Sequence, residues 1–264
     1  SKKTTKAYST SFSLAIKLLK KEYQDAIYSI YGFVRLADEI VDSFHDYNKA
    51  QLLHELKHAT IDALDKNISL NPILNSFQHT VKKYNIEWML IDSFLESMEY
   101  DLTNKECTDE SYKKYIQGSA EAVGLMCLYI FSNNKSNQYT ELKPYAESLG
   151  SAFQKINFLR DLHEDYNVLK RVYFPNLDIN KFSNTEKKII EDDIEKDFAH
   201  ALIGIKQLNK DAKKGVYLAY KYYTSLFEKI KKKDAQNILT NRIRISNIKK
   251  MQILLISQIK LILS

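Results

Sequence analysis

The first acidic segment of the chain reads YGFVRLADEIVD over residues 31–42. Its apolar residues recur with helical periodicity, which predicts a helix. Four other residues stand at positions i, i+4, i+7 and i+11 and would share one face of that helix: Tyr31, Arg35, Asp38 and Asp42. The remainder is almost wholly apolar apart from Glu39. A nearly apolar helix with one charged and aromatic stripe should direct that stripe into a polar site.

A second segment, QKINFLRDLHEDY over residues 154–166, has a similar stripe. Its members stand at i, i+3, i+7 and i+11, and they are Gln154, Asn157, Asp161 and Asp165. Each segment therefore places two aspartates one helical turn apart, in the pattern D-x-x-x-D. Exposed carboxylates at that spacing repel each other by roughly a few tenths of a kcal/mol, and buried ones by more. Neighbouring Lys or Arg side chains, or bound cations, must offset this repulsion.

The two aspartate pairs together indicate a metal site. A single D-x-x-x-D pair is common on ordinary surface helices, whereas two pairs on two otherwise apolar helices favour a functional role. Oxygen-only ligands suit Mg²⁺, which binds one or two carboxylates together with substrate phosphates. The pattern is therefore compatible with a site for Mg²⁺ and substrate phosphates as well as with ordinary ion pairing.

The composition predicts an all-α protein. The chain has 264 residues, of which 6 are Gly and 3 are Pro, whereas an average protein of that length has about 18 and 13. Sheets need turns that rely on these two residues, which argues against β-sandwich, propeller and glycine-looped Rossmann folds. Apolar periodicity predicts helices near residues 12–20, 22–44, 49–66, 72–84, 87–102, 109–131, 140–166, 185–209, 213–231 and 244–262. No linker or composition shift divides the chain, which predicts one domain over residues 1–264.

Charge and cysteine content argue against several classes of function. The net charge is +6, but no basic patch interleaved with aromatic residues indicates a nucleic-acid partner. Cys107 and Cys127 lack the spacing of a disulfide framework, and no signal peptide is evident, which favours a cytoplasmic protein. No apolar run reaches the roughly 18 residues of a spanning helix. The most apolar stretch, Met251–Leu263, is expected to close the helical bundle, with a membrane surface as its alternative partner.

Some weaker candidates have ordinary explanations. His54 and His58 stand at i and i+4 and could bind zinc, but an amphipathic helix explains them equally well. His163 lies inside the second acidic segment and is expected to face outward. A helical stripe of tyrosines is expected to belong to the core rather than to a cofactor site: Tyr217, Tyr220, Tyr222 and Tyr223.

Further motifs connect the acidic segments with a known family. They are YSTSFS at residues 8–13, YIQGSAEAVG at residues 115–124 and RVYFP at residues 171–175. Together with residues 31–42 and 152–175, these motifs resemble the signature regions of the squalene/phytoene synthase family, and in detail those of its bacterial phytoene synthases. The resemblance covers most of the chain. It implies an isoprenoid synthase fold, with about ten helices around a deep central cavity.

The resemblance also implies roles for individual residues. Mg²⁺, or Mn²⁺ as a substitute, would be held by two clusters, Asp38 with Asp42 and Asp161 with Asp165. Diphosphate oxygens would be bound by the guanidinium forks of Arg35 and Arg171. Three tyrosines would flank the reaction centre, where a phenol can hydrogen-bond diphosphate and a ring can stabilise a carbocation: Tyr31, Tyr115 and Tyr173. The substrate pocket would be completed by Ser11, Phe12, Gln154 and Asn157.

Other positions in these motifs are interpreted as structural or as departures from the family. Arg160 is expected to point away from Asp161 and to form an internal ion pair. Gly118, Ala122 and Gly124 would leave room for an isoprenoid tail or allow close helix packing. Lys170 replaces the usual Gly before the Arg of the R-x-Y element, next to apolar Val168 and Leu169. The C-terminal region 237–244 matches the family only loosely.

The resemblance implies head-to-head prenyl transfer. Two geranylgeranyl diphosphates would condense through a cyclopropyl (prephytoene) diphosphate to 15-cis-phytoene, a carotenoid precursor, without NADPH. The same scaffold could instead join two farnesyl diphosphates to dehydrosqualene, or to squalene with NADPH. A third alternative is a catalytically silent assembly or scaffold protein, against which the four aspartates argue. Peripheral membrane contact would follow from the lipophilic product, and the oligomeric state stays open.

Overall fold

The computed structural model of the protein describes residues 1, 2, 5, 9–103, 107–167, 171–175, 177–240 and 242–262. From residue 10 onward, its α-helices are α1 (Thr10–Ile16), α2 (Lys21–Ser43), α3 (Lys49–Lys66), α4 (Pro72–Tyr84), α5 (Trp88–Asp101), α6 (Asp109–Ile116), α7 (Ala122–Ser132), α8 (Ser136–Asn167), α9 (Asn184–Gln207), α10 (Lys210–Lys231), α11 (Ala235–Ile238) and α12 (Asn247–Ile262). A π-helical turn at Gln117–Glu121 joins α6 to α7, and a 3₁₀ turn at Ile179–Lys181 precedes α9. The described residues include no β-strand, which confirms the all-α prediction.

Most predicted helix ends agree with the observed ones to within about four residues, although the π-helical turn interrupts the predicted helix 109–131. Helix α8 begins at Ser136 instead of residue 140 and contains Pro144. Proline lacks the N–H that would bind the carbonyl of Thr140. Both residues are exposed, so water can bind that carbonyl and the helix continues. The four-residue helix α11 is not predicted from the sequence, and the single-domain assignment stays a prediction.

Asparagine takes the place of glycine at several helix ends. Asn67, Asn85 and Asn133 end α3, α4 and α7 with φ values of 57°, 51° and 48°. This left-handed conformation terminates helices and is open to Gly and, at low cost, to Asn. None of the six glycines has a positive φ. The chain therefore ends these helices without drawing on its few glycines.

Several glycines instead allow helices to approach each other closely. A Cβ atom on Gly150 of α8 would lie 2.7 Å from the carbonyl oxygen of Ala120, and one on Gly124 of α7 would lie 3.2 Å from that of Ala146. Helices α7 and α8 thus run antiparallel, with residue 120 opposite 150 and residue 124 opposite 146. A Cβ on Gly118 would collide with the backbone of α5. Gly118 therefore serves packing, which is the second of the two interpretations made from the sequence.

Helices α2 and α8 each bury one face in an apolar cluster. On α2, Phe33 and Ala37 are fully buried, and Phe33 stacks on Phe77 of α4 with ring centroids 4.0 Å apart. On α8, Ile156 and Leu159 are fully buried against a second cluster that includes α9 and α10. Burying side chains of this size stabilises the fold by roughly 1.5–3 kcal/mol each. The polar stripes on the opposite faces are left for a cavity between the clusters.

Helix α12 packs against α1 and α10. Its Ile253 is 8% exposed and joins Ala15 and Leu218 in a small apolar cluster. This contact confirms the expectation that the C-terminal apolar stretch packs onto the bundle. The outer side of α12 still exposes Met251 and Leu255 by about half. Within the described part of the chain, none of the helices combines the length and apolar character needed to cross a membrane.

Candidate active site

A polar chamber of about 730 Å³ lies between α1, α2, α8 and the segment 242–250. The residues assigned from the sequence to metal, diphosphate or substrate all line this chamber: Ser11, Phe12, Tyr31, Arg35, Asp38, Asp42, Tyr115, Gln154, Asn157, Asp161, Asp165, Arg171 and Tyr173. The fold therefore brings every candidate residue to one place, and their individual roles stay predictions. Tyr8, Val168, Leu169, Lys170 and Asn241 lie outside the described residues.

The two aspartates of α2 are paired with arginines. Arg35 donates from Nη1 to Asp38 and from Nη2 to Glu39. Arg171 donates from Nη1 to Oδ1 of Asp42 at 3.3 Å. Burial, together with the charge of Asp42, raises the pKa of Asp38 to about 7. Ionising both Asp38 and Asp42 is therefore costly, and a cation bound between them would be favoured.

The two aspartates of α8 form a similar pair with different partners. Asp161 accepts hydrogen bonds from Arg160, including one from Nε at 2.9 Å, and Nε of Arg242 lies 2.7 Å from its Oδ1. Burial, together with the charge of Asp161, raises the pKa of Asp165 to about 8. The charge of Asp42 adds to this rise. The two aspartate pairs are therefore close enough to repel each other across the chamber.

The structure corrects two expectations in the second acidic segment. Arg160 does not point away from Asp161, because its long side chain folds back onto that carboxylate and lines the chamber. The ion pair expected for Arg160 exists, but its partner is a candidate metal ligand. His163 does not face outward, because the chain after α11 covers it and its Nδ1 contacts the carbonyl of Leu239.

Asp101, which the sequence motifs do not indicate, is a buried carboxylate beside the chamber. It ends α5 and is 7% exposed. Tyr115 donates to its Oδ2 at 2.7 Å, and Tyr173 donates to its Oδ1 at 2.8 Å. Nη1 of Arg171 lies 3.4 Å from the hydroxyl of Tyr173 and 4.0 Å from Oδ1 of Asp101. Only the fold identifies this residue, since the acidic stripe of α5, Asp92, Glu96 and Glu99, does not include it.

The tyrosine stripe of α10 and the C-terminal segment also contribute residues that the sequence motifs miss. Tyr223 belongs to the core as expected, yet it also lines the chamber and donates to Oδ1 of Asn157 at 3.3 Å. Basic residues of the C-terminal segment line the chamber as well: Arg242, Arg244 and Lys250. Burial lowers the pKa of Lys250. One signal could have marked this segment, because no acidic residue follows Asp234.

An apolar tunnel of about 360 Å³ opens from the polar chamber. The two cavities share five lining residues, Phe12, Tyr31, Gln154, Asn157 and Tyr223. Beyond them, the tunnel is lined by residues of α1, α2, α7, α8, α9 and α10 that are mostly apolar. Its lining positions on α8 extend from Asn157 to Leu142, which at 1.5 Å per residue corresponds to about 22 Å.

The donor set of the chamber fits a hard divalent cation. Carboxylate oxygens are the preferred ligands of Mg²⁺, which completes its shell with water and phosphate oxygens. Such completion would be needed here, because within the described ranges no three His, Cys, Asp or Glu side chains converge as a ready ligand group. His54 and His58 lie on α3 with their rings 4.3 Å apart. They line neither cavity, and the described residues supply no third ligand for zinc.

The fold is that of known squalene and dehydrosqualene synthases. A dehydrosqualene synthase crystallised with a ligand superposes with a TM-score of 0.83 at 20% identity, covering 100% of this chain and 95% of the other. Squalene synthase HpnC from Alicyclobacillus acidocaldarius superposes with a TM-score of 0.75 at 17% identity, covering 91% and 93%. At these identities the likeness concerns the fold alone.

Sequence relatives with known names belong to the same group of synthases. The 4,4'-diapophytoene synthase of Staphylococcus haemolyticus is 28% identical over 200 residues, which is 73% of this chain and 65% of that protein. The phytoene synthase of Mycobacterium bovis is 25% identical over 183 residues, 67% of this chain and 57% of that protein. The matches thus span about two thirds or less of these relatives' length. The family model described as squalene/phytoene synthase matches residues 5–249, and the chain therefore belongs to the squalene/phytoene synthase family.

Proposed function

We propose that the protein condenses two prenyl diphosphates head to head with release of diphosphate. The observation that supports this most directly is the junction between a chamber of aspartate pairs and arginines and a long apolar tunnel. A prenyl diphosphate has the same two-part character, with a highly charged head and an apolar tail. The five shared lining residues would then lie near the bond between head and tail.

The metal ions of the reaction would be Mg²⁺, or Mn²⁺ in its place, held by the two pairs Asp38 with Asp42 and Asp161 with Asp165. When bound, the metal supplies Lewis-acid stabilisation of the departing diphosphate. The raised pKa values of Asp38 and Asp165 support this assignment. Buried carboxylates that repel one another bind a divalent cation with relief of that repulsion.

Arg35 and Arg171 would bind the diphosphate oxygens. Their planar guanidinium forks match phosphate oxygens in pairs, which a lysine cannot do. Each fork now neutralises an aspartate, and a cation bound between the aspartates would take over that task. Nε of Arg171 is buried and finds no acceptor among the described residues, so this side chain retains unused donor capacity.

An aromatic wall would protect the allylic cation left after diphosphate departs. Tyr173 stacks on Phe158 with ring centroids 4.4 Å apart, and Tyr115 lies 5.0 Å from Tyr173. Aromatic faces attract cations, and their bulk excludes water that would otherwise trap the cation as an alcohol. Tyr31 and Phe12 would extend this wall towards the tunnel, since their centroids are 6.3 Å apart.

The length of the tunnel favours geranylgeranyl over farnesyl diphosphate as the substrate. An extended polypeptide advances about 3.6 Å per residue over three backbone bonds, which is about 1.2 Å per bond, and an extended prenyl chain advances by a similar length per bond. A geranylgeranyl chain therefore spans about 19 Å and a farnesyl chain about 14 Å. The lining along α8 spans about 22 Å by helical rise. The extended geranylgeranyl chain is closer to the extent of this lining than the farnesyl chain is, which supports the longer substrate.

With two geranylgeranyl diphosphates, the expected product is 15-cis-phytoene. The first condensation loses one diphosphate and one proton and forms a cyclopropylcarbinyl diphosphate. A second ionisation, a rearrangement and a second proton loss give the linear product. Because no hydride is added, NADPH is not expected to be required.

The test is a product assay with purified protein and Mg²⁺. Each of farnesyl and geranylgeranyl diphosphate is supplied with and without NADPH, and hydrocarbons are identified by mass. Phytoene independent of NADPH supports the main proposal. Dehydrosqualene, or squalene formed only with NADPH, would assign the enzyme to the farnesyl alternative. No hydrocarbon together with no binding of inorganic diphosphate in Mg²⁺ would indicate the scaffold alternative.

Peripheral contact with a membrane surface is proposed for α12, since its outer side exposes Met251 and Leu255 in a segment without acidic residues. Apolar side chains flanked by lysines bind anionic lipid surfaces. In a flotation assay the protein should float with anionic vesicles. The double variant Met251→Ser with Leu255→Ser should bind the vesicles about tenfold more weakly. Leu70→Ser, in an exposed loop distant in sequence, is the matched control.

A further inference from the structure

Asp101 organises the two phenols that line the inner wall of the polar chamber. Its carboxylate is 7% exposed, and each of its oxygens accepts one phenol, Tyr173 on Oδ1 and Tyr115 on Oδ2. Both donor–acceptor distances, 2.8 and 2.7 Å, are those of well-formed O–H···O hydrogen bonds. The three residues come from α5, α6 and the loop after α8, so only the fold joins them.

The number of protons determines what the two tyrosines can offer a substrate. A neutral phenol has one proton to donate and lone pairs with which to accept. Burial and the charge of Asp101 raise the pKa of Tyr115 well above its usual value, so it stays neutral. With its one proton directed to Asp101, each phenol can present only lone pairs and its ring to the chamber. Neither can then donate a hydrogen bond to diphosphate.

The contacts of Tyr173 agree with a phenol oxygen that accepts hydrogen bonds on its chamber side. Nη1 of Arg171 donates to the Tyr173 hydroxyl at 3.4 Å, so the phenol oxygen already accepts from a cation. The ring of Tyr173 stacks on Phe158 with centroids 4.4 Å apart, and the ring of Tyr115 lies tilted beside it with centroids 5.0 Å apart. The buried negative carboxylate that accepts from both phenols makes this wall more attractive to positive charge.

We propose that Asp101 is a positioning residue that turns the hydroxyl protons of Tyr115 and Tyr173 away from the chamber, so that both tyrosines serve the carbocation and not the diphosphate. This inference rests on the proposed function. It decides between the two roles that the sequence left open for these tyrosines. Asp101 itself contacts neither substrate nor metal in this assignment and acts through the phenols.

The central test compares Asp101→Asn with Tyr115→Phe, Tyr173→Phe and the double tyrosine variant. Asparagine keeps the shape but replaces one acceptor oxygen by a donor and removes the charge. We expect kcat to fall about tenfold to a hundredfold, with KM and the Mg²⁺ concentration for half-maximal rate unchanged. A larger share of the consumed substrate should leave as water-trapped alcohol.

A double-mutant cycle separates positioning from a general structural effect. If Asp101 acts through the phenols, Asp101→Asn should change kcat by less than about twofold when Tyr115 and Tyr173 are already Phe, because interacting residues are not additive. Full additivity would overturn the proposal. So would a raised Mg²⁺ requirement in Asp101→Asn, which would make Asp101 a metal ligand.

A measurement without turnover tests the direction of the protons. Tyrosine labelled with ¹³C at Cζ reports on the phenol, and Tyr115→Phe and Tyr173→Phe assign the two signals. Addition of inorganic diphosphate and Mg²⁺ should leave both signals in place, whereas a shift of the size seen in Asp101→Asn would mean that the phenols turn to the diphosphate and would overturn the proposal. A wild-type protein that forms no hydrocarbon would refute the proposed function, while these signals would still test the proton direction.

Discussion

The polar chamber and the apolar tunnel share five wall residues but differ in what the rest of their walls can do. The chamber collects aspartates and arginines that belong to helices and loops far apart in the sequence. Apart from the shared residues, the tunnel is lined mainly by aliphatic side chains, alanines and glycines, and none of the described residues in its lining is charged. Under the proposed function, bond breaking would take place in the chamber, and the tunnel would select the chain length of the substrate. Substitutions in the two regions should therefore have separable effects.

The largest effect is expected from neutralising a chamber carboxylate. Asp38→Asn or Asp161→Asn removes one charged oxygen from a proposed metal cluster and should lower turnover at least about a hundredfold. Product formation at saturating Mg²⁺ measures the change. The apparent preference between geranylgeranyl and farnesyl substrates should stay the same, because the tunnel is not altered.

The matched control for these variants is Asp62→Asn. Asp62 is an exposed aspartate of α3 that pairs with Lys66 and lines neither cavity. The Asp62→Asn variant should have the activity and the thermal unfolding temperature of the wild type. Near-full activity of Asp38→Asn in the same assay would refute the metal assignment.

A smaller effect in the chamber is expected from Arg171→Lys. Lysine keeps the positive charge but loses the fork that donates in pairs to phosphate oxygens. Inhibition by inorganic diphosphate should weaken about tenfold, the size expected for one charge-assisted hydrogen bond. Lys206→Gln on α9, an exposed lysine that lines neither cavity, should leave inhibition unchanged. Equal inhibition of Arg171→Lys and wild type would exclude Arg171 from the diphosphate site.

In the tunnel, Cys127→Phe should change substrate preference with less effect on chemistry. Because α7 and α8 run antiparallel with residue 124 opposite 146, Cys127 lies near the level of Leu142 at the far end. A larger side chain there shortens the tunnel, and we expect the preference for the longer substrate to fall about tenfold. Competition between the two diphosphates gives this ratio. Cys127→Ala should leave the ratio within about twofold, and an equal change in both variants would contradict the tunnel assignment.

The smallest effect concerns the helix contact that forms one wall of the tunnel. Gly150→Ala places a Cβ 2.7 Å from the carbonyl oxygen of Ala120, whereas Gly124→Ala places one 3.2 Å from that of Ala146. The first should lower the free energy of unfolding by about 1–3 kcal/mol and the second by less. Chemical denaturation measures both. If both variants were as stable as the wild type, α7 and α8 could separate at no cost.

The chamber could be predicted from the sequence because its chemistry depends on spacing along a helix. Asp38 and Asp42, like Asp161 and Asp165, share a face by virtue of the four-residue interval. The four-residue interval predicts which residues of one helix share a face, but it does not predict which residues of different helices come together. Asp101 and Arg242 have no such interval with their partners, and tertiary packing alone brings them to the chamber.

The tunnel could not be predicted because apolar residues give the same sequence pattern whether they pack or line a space. Gly118 and Gly124 are six residues apart in one helical region, yet the first contacts α5 and the second lines the tunnel. The sequence pattern also does not show in which direction a long side chain extends. Arg160 shows this, since it folds back onto its immediate neighbour Asp161.

The π-helical turn at Gln117–Glu121 makes the chain length between the two cavities critical. It lies between Tyr115, which lines the chamber, and the α7 residues that line the tunnel. Such a turn holds one residue more than an α-helical turn. Loss of one residue would restore regular winding and rotate Tyr115 by about 100° relative to the tunnel wall. Relatives with one residue fewer in this turn would therefore have to orient their chamber tyrosine by other means.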